Sequence, residues 1–379
     1  MVRRRLLIFV VFLAAGRGFA SNHLHGYSKI FLENRGSASQ GSSVRNFSHS
    51  NRISILKSYG DVAGELSYQI IPQICDCEWS ETDGFQMSKF RIQDPDPILV
   101  SGDLDQNNYR VVQNLDRLFI TFRPLNVTFK LGRQPLSWGS SRFMNPTDIF
   151  APISLDAIDR EERSGVDVLR LSVYSGQAEL EMGGVFASGD LKPTHVPYLK
   201  FIDTLQDLDY SLIAADLFGR LFLGLDIQAD VNGLGAYWET GYLLGRDRRI
   251  LRTTFGLQYM FANSLQLTVE LHFNSAGAEK KDQYADILAD TDLQLLQLLY
   301  LAESYLSSQL SQQITPLFGL SFGGICNGVD GSMMFLAQLE WNIANDQYVD
   351  GGAFLGKGIL GSEFGGYTDT FYTSYRFYF

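Results

Sequence analysis

The strongest regularity in this chain is strict alternation of apolar and polar side chains. In 265–274, Leu265, Leu267, Val269, Leu271 and Phe273 alternate with Gln266, Thr268, Glu270, His272 and Asn274. In 220–231, Leu221, Leu223, Leu225, Ile227, Ala229 and Val231 alternate with Arg220, Phe222, Gly224, Asp226, Gln228 and Asp230. Successive side chains of a strand point to opposite faces, so each segment carries one apolar and one polar surface. Such segments are read at 52–59, 61–73, 86–93, 108–123, 126–134, 166–175, 177–188, 209–217, 219–231, 235–244, 250–262, 264–274, 302–313, 315–326, 331–342, 346–356 and 369–379. Residues 21–51, rich in Ser, Asn and Gly, read as a flexible N-terminal segment.

Soluble sandwiches alternate as well. Three features point instead to strands that cross a membrane. The segments are long, as a tilted spanning strand requires. They come in pairs joined by very short connections, such as Arg123-Pro124-Leu125-Asn126 and Ser175-Gly176-Gln177, with longer loops at the other ends. Aromatics gather near strand ends, as in an interfacial girdle. The sequence therefore predicts an all-β, antiparallel transmembrane barrel over 52–379, with about 16 strands and a range of about 14–18. Single-chain barrels usually have an even strand count, so one of the segments is in error or one is missing.

Both termini add to this reading. Arg3, Arg4 and Arg5, an apolar run from Leu6 to Ala15, and Gly18-Phe19-Ala20 predict a cleaved signal peptide over 1–20. The last segment carries Phe371, Tyr375, Phe377 and Phe379 on one face. Such a terminal aromatic strand resembles the assembly signal of bacterial outer-membrane barrels, which implies barrel-assembly machinery as a partner. The expected location is the outer membrane of a Gram-negative cell, in contact with its lipid.

The 27 Phe, 18 Tyr and 36 Gly suit many strands and turns. The mean hydropathy of −0.04 is far below that of a helical membrane protein. The net charge is −11, and it becomes −15 without residues 1–20, which argues against a nucleic-acid partner. Cys75, Cys77 and Cys326 are an odd count without the neighbouring ligands of a metal site. No cofactor or metal is expected.

Residues 131–167 break the alternation. Leu131-Gly132-Arg133-Gln134 leads to Trp138-Gly139, then to Asn145-Pro146-Thr147-Asp148 and Asp159-Arg160-Glu161-Glu162-Arg163. Together with Gly361-Ser362-Glu363-Phe364-Gly365 near the end, this pattern resembles uncharacterised proteobacterial outer-membrane barrels. It is loosely similar to porin and alginate-export-type barrels. The resemblance implies a barrel with a transport role and carries no substrate. On its own terms, a connection this long is functional or disordered, and its prolines and Trp138 favour order. Residues 133–165 are expected to fold into the lumen as a constriction.

The candidate constriction residues are Arg133, Trp138, Arg142, Asn145, Asp148, Asp159, Arg160 and Arg163. If the apolar strand faces meet lipid, Arg123, Lys130, Arg170, Arg220, Asp226, Asp230, Arg252, Glu270, His272 and Glu340 line the lumen, with Glu179 and Glu181 beside them. Opposed charges across a narrow passage select solutes, whereas Arg–carboxylate pairs can equally pin a loop to the wall. The slight acidic excess points to a mild cation preference. The expected function is a porin-like channel for small polar solutes or ions. The alternatives are a plugged structural, adhesive or partner-binding barrel and, further off, an outer-membrane hydrolase using His272 with Ser264 or Ser275. No catalytic residue is assigned, because the chain lacks the usual nucleophile and metalloenzyme motifs.

Overall fold

The computed structural model describes residues 21–36, 43–76, 89–96, 98–104, 107–154, 156–187, 195–245, 248–290, 293–294, 296–297 and 299–379. The expected signal peptide, residues 1–20, lies outside them.

The first strands are β1 (Ser21–Gly36), β2 (Ser43–Tyr59), β3 (Val62–Cys75), β4 (Leu99–Leu104), β5 (Asn107–Phe122) and β6 (Val127–Gln134). Then come β7 (Val166–Ser175), β8 (Ala178–Phe186), β9 (His195–Leu205), β10 (Leu208–Asp216), β11 (Leu221–Val231) and β12 (Leu234–Leu244). The wall continues with β13 (Arg249–Met260), β14 (Leu265–Asn274), β15 (Ser304–Thr315), β16 (Phe318–Asn327), β17 (Met333–Ala344), β18 (Gln347–Lys357) and β19 (Thr370–Tyr378). Each pairs antiparallel with its neighbour, and β1 pairs with β19 from Tyr27↔Tyr378 to Arg35↔Thr370, which closes the sheet.

Strand β3 pairs directly with β5. Short β4 lies on the same edge of β5 as β6 but higher, against Tyr109–Val111. It decorates the rim, so among the described residues the wall has 18 strands. The expected count of about 16 is thus corrected to 18. Two strands were hidden from the pattern. Of the segment 21–51, expected to be flexible, residues 21–36 form β1 and residues 43–51 half of β2; Ser28, His49 and Asn51 on the outer face blur the alternation there. The other is β9, which none of the alternating segments covers; it begins at His195, and its Pro197 lies beyond the stretch paired with β10. Conversely, the segment read at 86–93 is not a strand over residues 89–93, and residues 86–88 lie outside the described set.

The long connections β6–β7, β14–β15 and β18–β19 lie at one end of the barrel, and every connection at the other end is four residues or fewer. The facing is that of a protein turned inside out. Leu271, Phe255 and Leu223 are 57%, 48% and 40% exposed, while the alternating residues Glu239, Thr254 and Glu270 are buried to 0–1%. Such a surface is stable only where the outer solvent is hydrocarbon, and a closed barrel leaves no unpaired edge there. The outer wall bears Leu306, Leu310, Phe322, Phe335, Trp341 and Phe371, all exposed. Of the cysteines, Cys75 is disulfide-bonded and Cys326 is a free thiol.

Candidate functional site

Residues 135–165 leave β6 and return at β7, and in between they cross the lumen. The outward leg reaches β11–β14. There two wall carboxylates receive the loop backbone. Glu239 accepts hydrogen bonds from the N–H groups of Ser140 (3.1 Å), Ser141 (2.9 Å) and Thr147 (2.7 Å) and from the Thr147 hydroxyl (2.7 Å). Glu270 accepts from the N–H groups of Arg142 (2.5 Å), Phe143 (3.0 Å) and Met144 (3.3 Å) and from the Tyr237 hydroxyl (2.6 Å). Asp226 accepts from the Ser140 hydroxyl at 2.5 Å.

The local sequence explains the close fit. Gly139 has φ +80°, and a Cβ there would meet the Glu239 carboxylate at 2.3 Å, so the Trp-Gly pair lets the carboxylate reach the next two N–H groups. Gly241 likewise admits the Pro146 carbonyl, which would lie 2.5 Å from an added Cβ. In the Asn-Pro-Thr-Asp stretch, Asn145 accepts from the Thr147 and Asp148 N–H groups and donates to the Trp138 carbonyl at 2.8 Å. These residues fold the loop upon itself. Trp138 and Phe150 pack edge to face at 4.7 Å, within an apolar core formed with inward Val166, Val168, Val185, Val196 and Phe222.

The return leg reaches the far side. Around the wall, β12 lies ten strands from β1 in one direction and eight in the other. Lys29 on β1 pairs with Asp159 (2.9 Å) and Glu161 (2.6 Å), and Arg376 on β19 pairs with Glu161. Arg52 on β2 pairs with Glu162, and Arg117 on β5 lies 3.6 Å from it. Arg163 turns back to Asp148 within the loop. Burial pushes the Asp148 carboxyl above its ordinary range, and the Arg163 guanidinium opposes this only in part.

Two cavities flank the loop. The upper, of about 210 Å³, is lined by Arg142, Arg160, Arg163, Arg252, His272 and Asn274, with Phe143, Leu299, Tyr300 and Tyr305 as its apolar side. Only Arg163 of these arginines has a carboxylate partner among the described residues. Arg160 Nη2, Arg252 Nε, Asn274 Nδ2 and Ser141 Oγ are buried and have no protein hydrogen-bond partner there. The lower cavity, of about 780 Å³, lies against β14–β19, lined by Gln266, Ser311, Ser321, Gln338 and Ser374 with Glu340, Asp350 and Arg376.

The sequence-predicted residues divide accordingly. Arg142, Asn145, Asp148, Arg160, Arg163, Arg252 and His272 meet at the upper cavity, and Asp159, Arg160 and Glu340 at the lower. Asp226 and Glu270 face inward but hold the loop, and Trp138 is core. Arg133 does not reach the constriction; it is held at the rim by Asp167 (2.8 Å) and Asp94 (2.9 Å). On the wall, Arg170 pairs with Glu181, and Lys130 sits over the Phe119 ring at 5.6 Å. Arg123, Arg220 and Asp230 lie at or beside strand ends. Arg123 directly follows β5, Arg220 lies in the bend before β11, and Asp230 caps the following turn through the Gly233 N–H. His272 shares a hydrogen bond with the Thr254 hydroxyl, while the Ser275 hydroxyl accepts from the Leu251 N–H. Glu239, Lys29, Arg52 and Arg376 were not singled out by sequence. Only the loop packed against them reveals their role.

No family model and no curated protein matches the chain. Its fold is similar to solved barrels. The outer membrane protein opdK of Pseudomonas aeruginosa matches with a TM-score of 0.59 at 9% identity, over 95% of this chain and 98% of that one. A BenF-like porin of Pseudomonas fluorescens Pf-5 matches with a TM-score of 0.57 at 9% identity, over 94% and 98%. OccD3 (OpdP) of Pseudomonas aeruginosa matches with a TM-score of 0.56 at 12% identity, over 95% and 91%. At these identities the shared property is the fold, a closed outer-membrane-type barrel.

Proposed function

We propose that this chain is an outer-membrane channel of the porin kind, passing small polar solutes that carry an anionic group. The observation that carries this reading is the set of buried donors without protein partners around the upper cavity, from Arg160, Arg252, Asn274 and Ser141. Buried donors require acceptors, and a guanidinium without a carboxylate favours an anion. The acidic excess read from sequence does not translate into a cation site. Glu239 and Glu270 accept loop N–H groups, and Glu161, Glu162 and Glu340 face arginines. The porin fold of the similar structures supports a channel.

A plugged, partner-binding barrel is the second reading, favoured by the apolar core that the loop builds inside the lumen. Conductance of the folded protein in a planar bilayer under a salt gradient separates them. Stable open steps with a reversal potential toward the anion are expected. Silence from correctly folded protein would favour the plug, and cation selectivity would overturn the anionic assignment.

A further inference from the structure

We propose that the mature chain begins at Ser21 and that its first three residues, Ser21-Asn22-His23, form a copper(II) site at the short-turn end of the barrel. Cleavage after Gly18-Phe19-Ala20 creates a free α-amine on Ser21. A histidine then stands third from that amine. This spacing lets four nitrogens of one short segment meet in a plane: the α-amine, the backbone nitrogens of Asn22 and His23, and Nδ1 of the His23 imidazole. Copper(II) favours such a planar nitrogen set and is the most tightly held of the divalent first-row ions. Each amide that binds it loses its proton to solvent, as does the α-ammonium. Side-chain ligand clusters are absent among the described residues, but this set is mostly backbone.

The fold leaves this end available. Strand β1 starts at Ser21 and is laddered to β2 from Ser21↔Ser58 onward. On its other edge β19 reaches only Gly26, which exchanges both backbone hydrogen bonds with Phe379. Among the described residues no strand pairs with 21–25 on that edge. Backbone N–H groups alternate edges along an antiparallel strand, so Asn22 turns its N–H to the same open edge as Gly26. The His23 N–H faces β2, and chelation peels residues 21–23 from their partners Leu56, Lys57 and Ser58. A strand end held on one edge only opens at little cost. The His23 side chain is exposed, and so is that of His25 on the same face. The short-turn end of an outer-membrane barrel faces the periplasm, so the site would take copper(II) from that compartment.

The test uses the full mature protein purified from outer membranes in detergent, its first residue read by mass spectrometry. Copper(II) chloride is titrated in beside excess glycine, which takes up loosely held metal. The visible d–d band and the nitrogen hyperfine splitting in electron paramagnetic resonance are recorded. Wild type beginning at Ser21 is expected to bind one equivalent with the short-wavelength band of a planar four-nitrogen centre, and equimolar zinc(II) should not displace it. His23→Ala and Asn22→Pro are expected to lose that spectrum, the second because proline has no amide proton to give up. Asn22→Pro spares the ladder to β2, since that N–H faces the open edge. His25→Ala is expected to keep the spectrum. A first residue other than Ser21, no such spectrum from wild type, its retention in His23→Ala or Asn22→Pro, or its loss in His25→Ala overturns the proposal. Conductance is a separate readout, so each of these results leaves the channel reading as it stands.

Discussion

Residues 136–150 and residues 156–163 belong to one loop, yet the barrel holds them by different means. The first stretch is buried. Leu136, Trp138, Ile149 and Phe150 are at most 2% exposed, and its backbone N–H groups end on Glu239 and Glu270. The second is held by ion pairs whose loop carboxylates remain partly open: the Asp159, Glu161 and Glu162 side chains are 31%, 36% and 38% exposed. Buried, directional anchors fix a backbone and are costly to lose. Partly exposed ion pairs contribute little net stability and weaken in salt. The first stretch therefore fixes where the loop crosses the lumen, while the second sets which of its charges are paired with the wall.

The largest effect should come from breaking the apolar anchor. Phe150 is 1% exposed and packs against Trp138 at 4.7 Å and Phe90 at 4.9 Å. Phe150→Ala is expected to cost about 3–5 kcal/mol, as for other buried aromatic truncations. Equilibrium unfolding of the refolded barrel in urea checks it. A loss below 1 kcal/mol would mean that the loop is not docked as described. Next comes Glu239→Ala, which leaves the Ser140 and Ser141 N–H groups without an acceptor and takes from Thr147 its closer one, leaving only Asn145 at 3.2–3.3 Å. At ~1–3 kcal/mol for each unmet buried donor, and with some relaxation toward water, a loss of about 3 kcal/mol is expected. The same substitution should free the arginines of the upper cavity from their fixed positions, so single-channel current noise should rise.

This division explains what was legible in the sequence. The inward and outward faces of β11, β13 and β14 follow from alternation alone, because one face is uniformly apolar. The crossing loop was legible too, as a long ordered break in that alternation. The role of Glu239 was not. It sits in Tyr237-Trp238-Glu239-Thr240 as one more inward polar residue, and its partners are backbone amides about ninety residues away that have no residue-type signature. The reverse holds for β1 and β2. Their outer faces carry Ser28, His49 and Asn51, which bond one another, so the periodic signal vanishes although the ladder is intact. The count of charges misled for a related reason. A carboxylate contributes to selectivity only if it is not already occupied, and occupancy is a property of three dimensions.

The junction of the two stretches gives a pH test. Asp148, in the first, accepts from Arg163, in the second, and burial raises its pKa above the ordinary value. A carboxyl with a raised folded-state pKa gains stability on protonation. Its contribution is therefore absent well above the raised value, grows as pH falls through it, and is complete below the ordinary range of ~4. Asp330, in the turn between β16 and β17, behaves oppositely. Burial raises it, but hydrogen bonds from Ser332, the Glu363 N–H and Tyr284 outweigh that and leave it lowered. Its contribution is present above the ordinary value and lost as pH falls through the lowered one. Unfolding midpoints measured across the acid range should thus shift in opposite senses on Asp148→Asn and Asp330→Asn. Shifts of the same sign would show that the Asp148–Arg163 pair, not burial, dominates.

The smallest effect is also the most diagnostic. Glu162→Gln removes the partner of Arg52, but Arg52 keeps Asp116 at 3.0 Å. The lost carboxylate was 38% exposed, so the cost should be no more than about 1 kcal/mol at low salt. At 1 M salt, where the screening length is ~3 Å, even that difference should shrink toward zero. Glu239→Ala should keep its penalty under the same conditions, because salt does not replace a missing buried acceptor. Unfolding the two variants side by side at low and high salt therefore tests the comparison directly. If salt leaves the Glu162→Gln difference intact, the second stretch is anchored as rigidly as the first. The charges flanking Arg160 would then be fixed parts of the constriction, not an adjustable screen.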